Sequence, residues 1–397
     1  MTGSLPLPLA GVTVIGLEQA VAAPFATRQL ADLGARVIKI ERPRGGDFAR
    51  RYDESVHGQS SYFVWLNRSK ESFTLDIKTP AGRQILEELL ASADVLVQNL
   101  APGAALRLGI DPASLAGRHP RVISCAISGY GPEGPWADRK AYDLLVQSET
   151  GLISLTGSPA EMAKAGISVA DIAAGMYAYA GILTALYRRA TTGQISAVDV
   201  SLFDALAEWM GAPAYYTAYT GRQPARVGAQ HATIAPYGPF QTAGGDTVLL
   251  AIQNEREWRR FCQVVLDDPG LIDDERFATN SARVTSRDAL NTVIAQRFAG
   301  MDVATAVALL DQAAVANARL NSVADFLDHP VLAARDRWRT VGAPGGDIRT
   351  LLPPANLTDL DPPMNPVPAL GAHTEIILRD LGRTDADIAT LRAEGVI

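Results

Sequence analysis

The feature that most constrains this chain is an alternation. Up to about residue 215, short β-branched and aliphatic runs at 12–17, 36–40, 73–77, 94–98 and 122–126 are separated by helical patterns at 25–33 and 82–91. A run of strand, helix and strand closes most readily as parallel strands joined by crossover helices that cover the sheet. The punctuation agrees: Thr79-Pro80 reads as the cap and first-turn proline of the 82–91 helix, and Gly109 as the stop after a short helix at 104–108. A long helical pattern after Asp171, a strand at 197–200 and a helix at 202–210 carry this α/β layer to about residue 215.

Beyond it the texture changes. Residues 215–245 are rich in Tyr, Gly, Pro and Thr without helical period, and read as a connection and loops. A strand at 247–252 and amphipathic helices at 255–265, 287–298 and 303–312 make a smaller α+β unit. After His329-Pro330 the chain becomes proline-rich, with Pro353-Pro354, Pro362-Pro363, Pro366 and Pro368 before helices at 372–381 and 385–394. That segment reads as an extended strap returning to the first domain. The expected organisation is therefore 1–215 as the N-terminal part of a large domain, 216–330 as linker and small domain, and 331–397 as return linker and C-terminal part of the large domain. A length of 397 residues supports two cores, since single cores usually stop growing at roughly 250–300.

Composition removes several function classes. The net charge of −7 offers no general attraction to nucleic acid, so any phosphate site must be local. Cys125 and Cys262 lie far apart in apolar sequence, which argues against a disulfide framework or cysteine metal site and for a reducing, cytoplasmic setting. No Lys or Arg precedes Arg28, so a basic signal-peptide start is missing, and 172–187 reads as too short and glycine-rich to span a bilayer. No membrane partner is expected. The first strand-to-helix turn, from Gly16 to Pro24, lacks G-x-G-x-x-G, which disfavours a dinucleotide oxidoreductase. A phosphate-binding G-x-x-x-x-G-K-[ST], a G-x-S-x-G elbow and an H-E-x-x-H are also missing, and the histidines at 57, 119, 231, 329 and 373 never approach ligand spacing, so no metal site is expected. Asn356-Leu-Thr358 matches a glycosylation acceptor, an accidental match in a protein without a secretory signal.

Local chemistry offers four signals, each with a plainer reading beside it. Lys39, Arg42, Arg44, Arg50 and Arg51 surround Gly45-Gly46 just past a strand end, as an anion site or a solvated basic loop. Asn99-Leu100-Ala101-Pro102-Gly103 and Arg107 follow another strand end, where open α/β sheets bind ligands; a proline–glycine turn fits equally. Lys140-Ala-Tyr142-Asp143 opens a helix, and read alone Tyr142 is core and Lys140 surface. Asp171 is the one charge between Lys164 and Arg188, and read locally it is an N-cap whose helix amides favour the anion. Met176, Tyr177, Tyr179, Leu183 and Tyr187 on the same helix read as core packing.

Taken in order, Val37-Ile-Lys-Ile-Glu-Arg-Pro43 with Gly46-Asp47, Leu75-Asp-Ile-Lys78, Asn99 to Gly103, Arg107, Ser128-Gly-Tyr-Gly131, Lys140-Ala-Tyr142 and Asp171 resemble the family III CoA-transferases, the CaiB–BaiF family. The resemblance implies an interlocked homodimer with a Rossmann-like large domain, its sheet mostly parallel, and a smaller α+β domain. It also implies a CoA site at Arg42, Leu75, Lys78, Asn99, Leu100, Arg107, Lys140 and Tyr142, with Asp171 as nucleophile. The substrates would be an acyl-CoA and a free carboxylic acid, with no permanently bound cofactor. A 2-methylacyl-CoA racemase of the same fold is the alternative, but that branch carries His-Asp where Tyr142-Asp143 stand, and its histidine is one of the two proton-exchanging bases. The formate-transferring branch has a glycine run where 226–231 keeps only Gly228, and a glutamine in place of Val21. Segments 231–237 and 253–258 resemble the branch handling short dicarboxylic acyl groups such as mesaconyl- or succinyl-CoA, with Arg222 and Arg226 offered to a second carboxylate or to solvent.

Overall fold

Six strands frame the larger unit: β1 (Thr13–Leu17), β2 (Arg36–Glu41), β3 (Glu71–Thr74), β4 (Val95–Gln98), β5 (Ile123–Ser128) and β6 (Val198–Ser201). Every neighbouring pair is parallel, in the order β3-β2-β1-β4-β5-β6. The order reverses between β1 and β4, and the carboxyl ends of these strands form the crevice where such sheets take ligands. The structure is a computed structural model that describes residues 6–355 and 357–397, so the acceptor-like Asn356 lies outside the described residues.

Helices α1 (Ala22–Asp32), α2 (Ser61–Leu66), α3 (Pro80–Ser92), α4 (Ala104–Leu108), α5 (Pro112–Arg118) and α6 (Asp143–Glu149) follow the strands in turn. After α7 (Leu152–Leu155), which belongs to the smaller unit, come α8 (Val169–Thr192), α9 (Leu202–Trp209) and α10 (Gly211–Thr220). Strand periodicity sorts the core. Ile15, Leu17, Ile38, Ile40, Phe73 and Leu96 join Ile85, Leu86, Leu89 and Leu90 of α3 and Ile377, Leu378 and Ile388 of the C-terminal helices Thr374–Asp380 and Asp385–Ala393. The intervening Val14, Val37, Val95 and Val97 are equally buried, as both faces of a covered parallel sheet require. Each such side chain contributes about 1.5–3 kcal/mol by leaving water.

The Thr79 hydroxyl accepts from Gly82 N–H and Pro80 opens α3, while Gly109 ends α4 at φ +67°, both as the sequence indicates. The returning strap protects the sheet's β3 edge: His373 Nδ1 accepts from Ser72 N–H at 3.1 Å, and Thr374 Oγ1 accepts from Thr74 N–H at 3.0 Å.

Helix α8 departs from the sequence reading in three ways. Its N-cap is Ser168, so Asp171 is the third residue of the first turn and not the cap. Its buried face is Ala170, Ala173, Ala174, Gly175, Ala178, Ile182, Ala185 and Leu186, whereas Met176, Tyr177 and Tyr187, expected in the core, are exposed. Small residues win that face because α1 lies very close: a Cβ on Gly175 would sit 2.7 Å from the Ala22 carbonyl oxygen. The helix is also 24 residues long, long and apolar enough to cross a bilayer, so shortness does not argue against a span; what the structure gives it is packing against α1, α9, β5 and β6.

The larger unit comprises the chain up to Thr150 with Gly166–Met210 and Leu332–Ile397; the smaller comprises Gly151–Ala165 with Gly211–Val331. The brief excursion at 151–165 leaves no trace in the sequence pattern because it holds only the four-residue α7 and an isolated bridge between Gly157 and Met162. In the smaller unit, β7 (Tyr237–Gln241), β8 (Thr247–Ala251) and β9 (Ala316–Arg319) form an antiparallel sheet. Its core is Leu250, Trp258, Phe261, Phe277, Leu290, Ile294, Phe298 and Leu310. The stretch 215–245, expected as loops, contains β7 and the end of α10. Helix α10 buries none of its residues, so it shows no apolar stripe to betray it.

Candidate active site

A cavity of about 60 Å³ opens at the carboxyl edge of the large unit's sheet, lined among others by Leu17, Gln19, Arg42, Leu75, Ile77 and Leu100. It joins the ends of β1, β2, β3 and β4, and brings together Arg42, Leu75 and Leu100 from the expected CoA site. Lys78, Asn99, Arg107, Lys140 and Tyr142 do not line it. Lys78, Arg107 and Lys140 are exposed, Arg107 at the last turn of α4. Tyr142 is 66% exposed, not core as its local pattern reads, because it is the N-cap of α6. The Asn99 amide is occupied with backbone: its Oδ1 accepts from Gln19 N–H at 2.9 Å and its Nδ2 donates to Gln19 O at 2.8 Å.

The basic cluster divides into structural and available cations. Lys39 is fully buried; its Nζ lies 2.8 Å from Asp47 and 3.4 Å from Glu18, and those two carboxylates outweigh burial to raise its pKa. Arg50 pairs with Glu41 at 2.7 Å, and against the opposing effect of burial the Arg50 hydrogen bonds and Lys39 hold Glu41 down at about 2. A second lysine, Lys70, reaches Glu18 at 2.7 Å, yet burial pulls it down to about 8. Arg42, Arg44 and Arg51 remain exposed around the loop; Arg42 donates to Gly46 O at 3.1 Å and Arg51 to Gly45 O at 2.8 Å, which leaves further guanidinium donors for an anion. The sequence cluster of five thus divides into two cations held in ion pairs, Lys39 and Arg50, and three exposed arginines.

Asp171, half-buried, differs from the large unit's fully buried carboxylates. Glu18, Asp32, Glu41 and Asp47 each hold a Lys or Arg partner. Asp171 receives no hydrogen bond or ion pair on its carboxylate from the described residues, and burial followed by the charge of Asp143 pushes it up to about 7. Asp143 does the capping that Asp171 seemed to offer: its Oδ1 accepts from Ala170 N–H at 2.8 Å and Asp171 N–H at 3.3 Å. The helix amides therefore stabilise Asp143 in place of Asp171. Burial, then the charges of Asp47 and Asp171 and the neighbouring Tyr142, push the Tyr52 hydroxyl up to about 12. Sequence reasoning missed Tyr52 and Asp143 as neighbours of Asp171; only the Tyr142-Asp143 pair carried a signal.

In the smaller unit the residues proposed for a second carboxylate or a substrate branch hold the fold. Arg226 spends its guanidinium on Ser154 O, Ser158 O and Pro159 O, at 3.2, 3.1 and 3.2 Å. Asn254 caps the helix Glu255–Arg260, and Trp258 is buried beneath the Arg283 guanidinium. Of the two arginines, Arg222 stays exposed. Among the described residues no cluster of three His, Cys, Asp or Glu side chains is placed to hold a metal ion.

A six-stranded parallel sheet with a cavity at its carboxyl edge, and an unpaired carboxylate of raised pKa on a helix of the same unit, is an α/β architecture of the kind enzymes use. Residues 9–374 match the model of CoA-transferase family III. A succinate–glutarate CoA-transferase of Agrobacterium fabrum is 33% identical over 387 residues, covering 94% of this chain and 96% of its own length. The succinyl-CoA:glutarate CoA-transferase of Mus musculus is 33% identical over 401 residues, covering 98% and 90%. The crystal structure of a CaiB/BaiF family protein from Brucella suis superposes with a TM-score of 0.83 at 34% identity, over 95% of this chain and 100% of that one. The chain belongs to CoA-transferase family III and is a CoA-transferase.

Proposed function

We propose that this protein moves CoA between short dicarboxylic acids through covalent intermediates on Asp171. The observation that carries the reading is the state of that side chain: a half-buried carboxylate with no cation paired to it and its basicity raised, first by desolvation and then by Asp143. An Asp171 oxygen attacks the donor thioester carbonyl; the C–S bond breaks, CoA leaves as thiolate and a mixed anhydride forms. The thiolate attacks the aspartyl carbonyl, the donor acid leaves as carboxylate, and an aspartyl-CoA thioester remains. The acceptor carboxylate attacks that thioester, expelling CoA thiolate and giving a second anhydride. The thiolate then attacks the acceptor's acyl carbonyl, which yields the new acyl-CoA and frees Asp171. No proton need be moved, so an ionised, sheltered acid suffices, and shelter matters because anhydrides hydrolyse. Arg42, Lys78, Arg107 and Lys140 supply positive charge for the phosphates of CoA, and Leu75, Leu100 and Tyr142 supply apolar surface.

The dicarboxylic preference rests on the relatives named for succinate and glutarate. A homodimer belongs to the same proposal: Tyr187, Tyr215 and Tyr219 are 72%, 70% and 85% exposed on α8 and α10, more aromatic surface than a lone chain sensibly leaves in water. The test is a panel of acyl-CoA donors and free acids given to the native protein and to Asp171→Ala and Asp171→Asn. Succinyl-CoA with glutarate should exchange CoA with the native protein alone. Native-rate exchange by either variant would overturn the covalent route, and deuterium entering the α-carbon of a 2-methylacyl-CoA without acceptor acid would indicate a racemase.

A further inference from the structure

The turn between β1 and α1 contains an alanine where a glycine is expected. Ala20 sits at φ +61°, a left-handed conformation that its Cβ disfavours. Such strain persists only where surrounding structure over-determines it, and it concentrates at functional sites. Here two side chains from distant loops do so. Asp47 Oδ1 accepts from Ala20 N–H at 3.1 Å, while the Asn99 amide holds both backbone groups of Gln19.

Asp47 is itself fixed from three sides. Its Oδ2 receives Lys39 Nζ at 2.8 Å, its N–H donates to Glu41 Oε1 at 3.0 Å, and its Oδ1 also accepts from Ala49 N–H at 2.9 Å. Lys39 continues to Glu18 O at 3.2 Å, immediately before the turn, so β1's end, β2 and the loop after β2 are tied into one buried ring. The ring serves something. Glu18, Gln19, Arg42, Gly46 and Asp47 border the cavity, and the turn launches α1, on which Asp171's helix packs.

We propose that Asp47 is a positioning residue for CoA transfer, clamping the strained Gln19-Ala20 turn that seats the acyl-CoA beside Asp171. This rests on the CoA-transfer reading above. Removing the clamp lets the turn relax, widening the distribution of thioester positions that Asp171 must meet. Glycine tolerates positive φ without cost, so Ala20→Gly should need the clamp less.

The experiment compares Asp47→Ala, Asp47→Asn and Asp47→Ala/Ala20→Gly with the native full-length protein, each checked as folded by circular dichroism. We expect kcat/KM for acyl-CoA to fall at least tenfold in Asp47→Ala and to recover at least threefold when Ala20→Gly is added. Asp47→Asn, which keeps an acceptor for Ala20 but loses the charge facing Lys39, should fall in between and carries the comparison if Asp47→Ala does not fold. Amide exchange at residues 19–23, read without substrate, should quicken in Asp47→Ala. Unchanged exchange there, a kcat/KM within twofold of native, or no recovery with Ala20→Gly would each overturn the positioning role. Quickened exchange in a protein whose native form moves no CoA would instead overturn the transfer reading, and the positioning role with it.

Discussion

Asp171→Asn should make the protein more stable at alkaline pH while abolishing its chemistry. The native carboxylate rises from 3.8 to about 7, first through burial and then through Asp143. A folded-state pKa above the unfolded value means the native state holds the proton more tightly. Its contribution is therefore complete below about pH 4, and is lost as pH rises to about 7. The whole difference, about three pH units at 1.36 kcal/mol each, is about 4 kcal/mol. Between about pH 5 and the value near 7, about two units or 3 kcal/mol remain to be lost, and water at the rim of the site reduces this to about 2 kcal/mol. Asparagine carries no such group. Urea unfolding of both proteins at about pH 5 and about pH 8, at one fixed protein concentration, reads the effect directly. The stability of Asp171→Asn relative to native should grow by about 2 kcal/mol between the two conditions. A relative stability that stays flat within about 0.5 kcal/mol, or that moves toward the native protein as pH rises, would refute the claim that Asp171 is held with raised basicity.

Three further outcomes follow from the same geometry. Asp143→Asn removes the charge that faces Asp171, so the acid limb of the kcat–pH profile should move from near 7 downward by about one pH unit, whereas a purely structural loss would lower kcat equally at every pH. Arg42→Ala and Lys140→Ala should each raise KM for acyl-CoA about tenfold with kcat changed less than about threefold, and the native KM should climb with added salt, all readable by steady-state kinetics. Gly175→Ala drives a Cβ to 2.7 Å from the Ala22 carbonyl, and thermal unfolding should show a loss of about 1–3 kcal/mol despite alanine's better helix propensity.

How far the sequence carried these conclusions depended on the kind of physics involved. Strands of the parallel sheet were legible as short continuous apolar runs because both of their faces are buried, and helices such as Arg287–Phe298 and Val303–Gln312 because burial of one face imposes a period. Helix α10 escaped notice for the converse reason: with no buried residue it has no period to show. The basic cluster was visible, but which cations were free was not. Lys39 and Arg50 look like Arg42 in sequence, and only the fold reveals that carboxylates of Glu18, Asp47 and Glu41 have consumed them. Asp171 was located in sequence as a lone acid in an apolar stretch, which local reasoning makes a cap. Its distinguishing property, that Asp143 from 28 residues away has taken the capping role and left it unpaired, is a long-range arrangement that no window of sequence contains.

The most direct measurement of the central claim is mass spectrometry of the protein mixed with succinyl-CoA and quenched within one turnover. The account predicts an adduct on the peptide carrying Asp171 with the mass of CoA less one water, absent from Asp171→Asn and discharged by adding glutarate. Transfer of CoA to glutarate at full rate with no adduct on that peptide would contradict it.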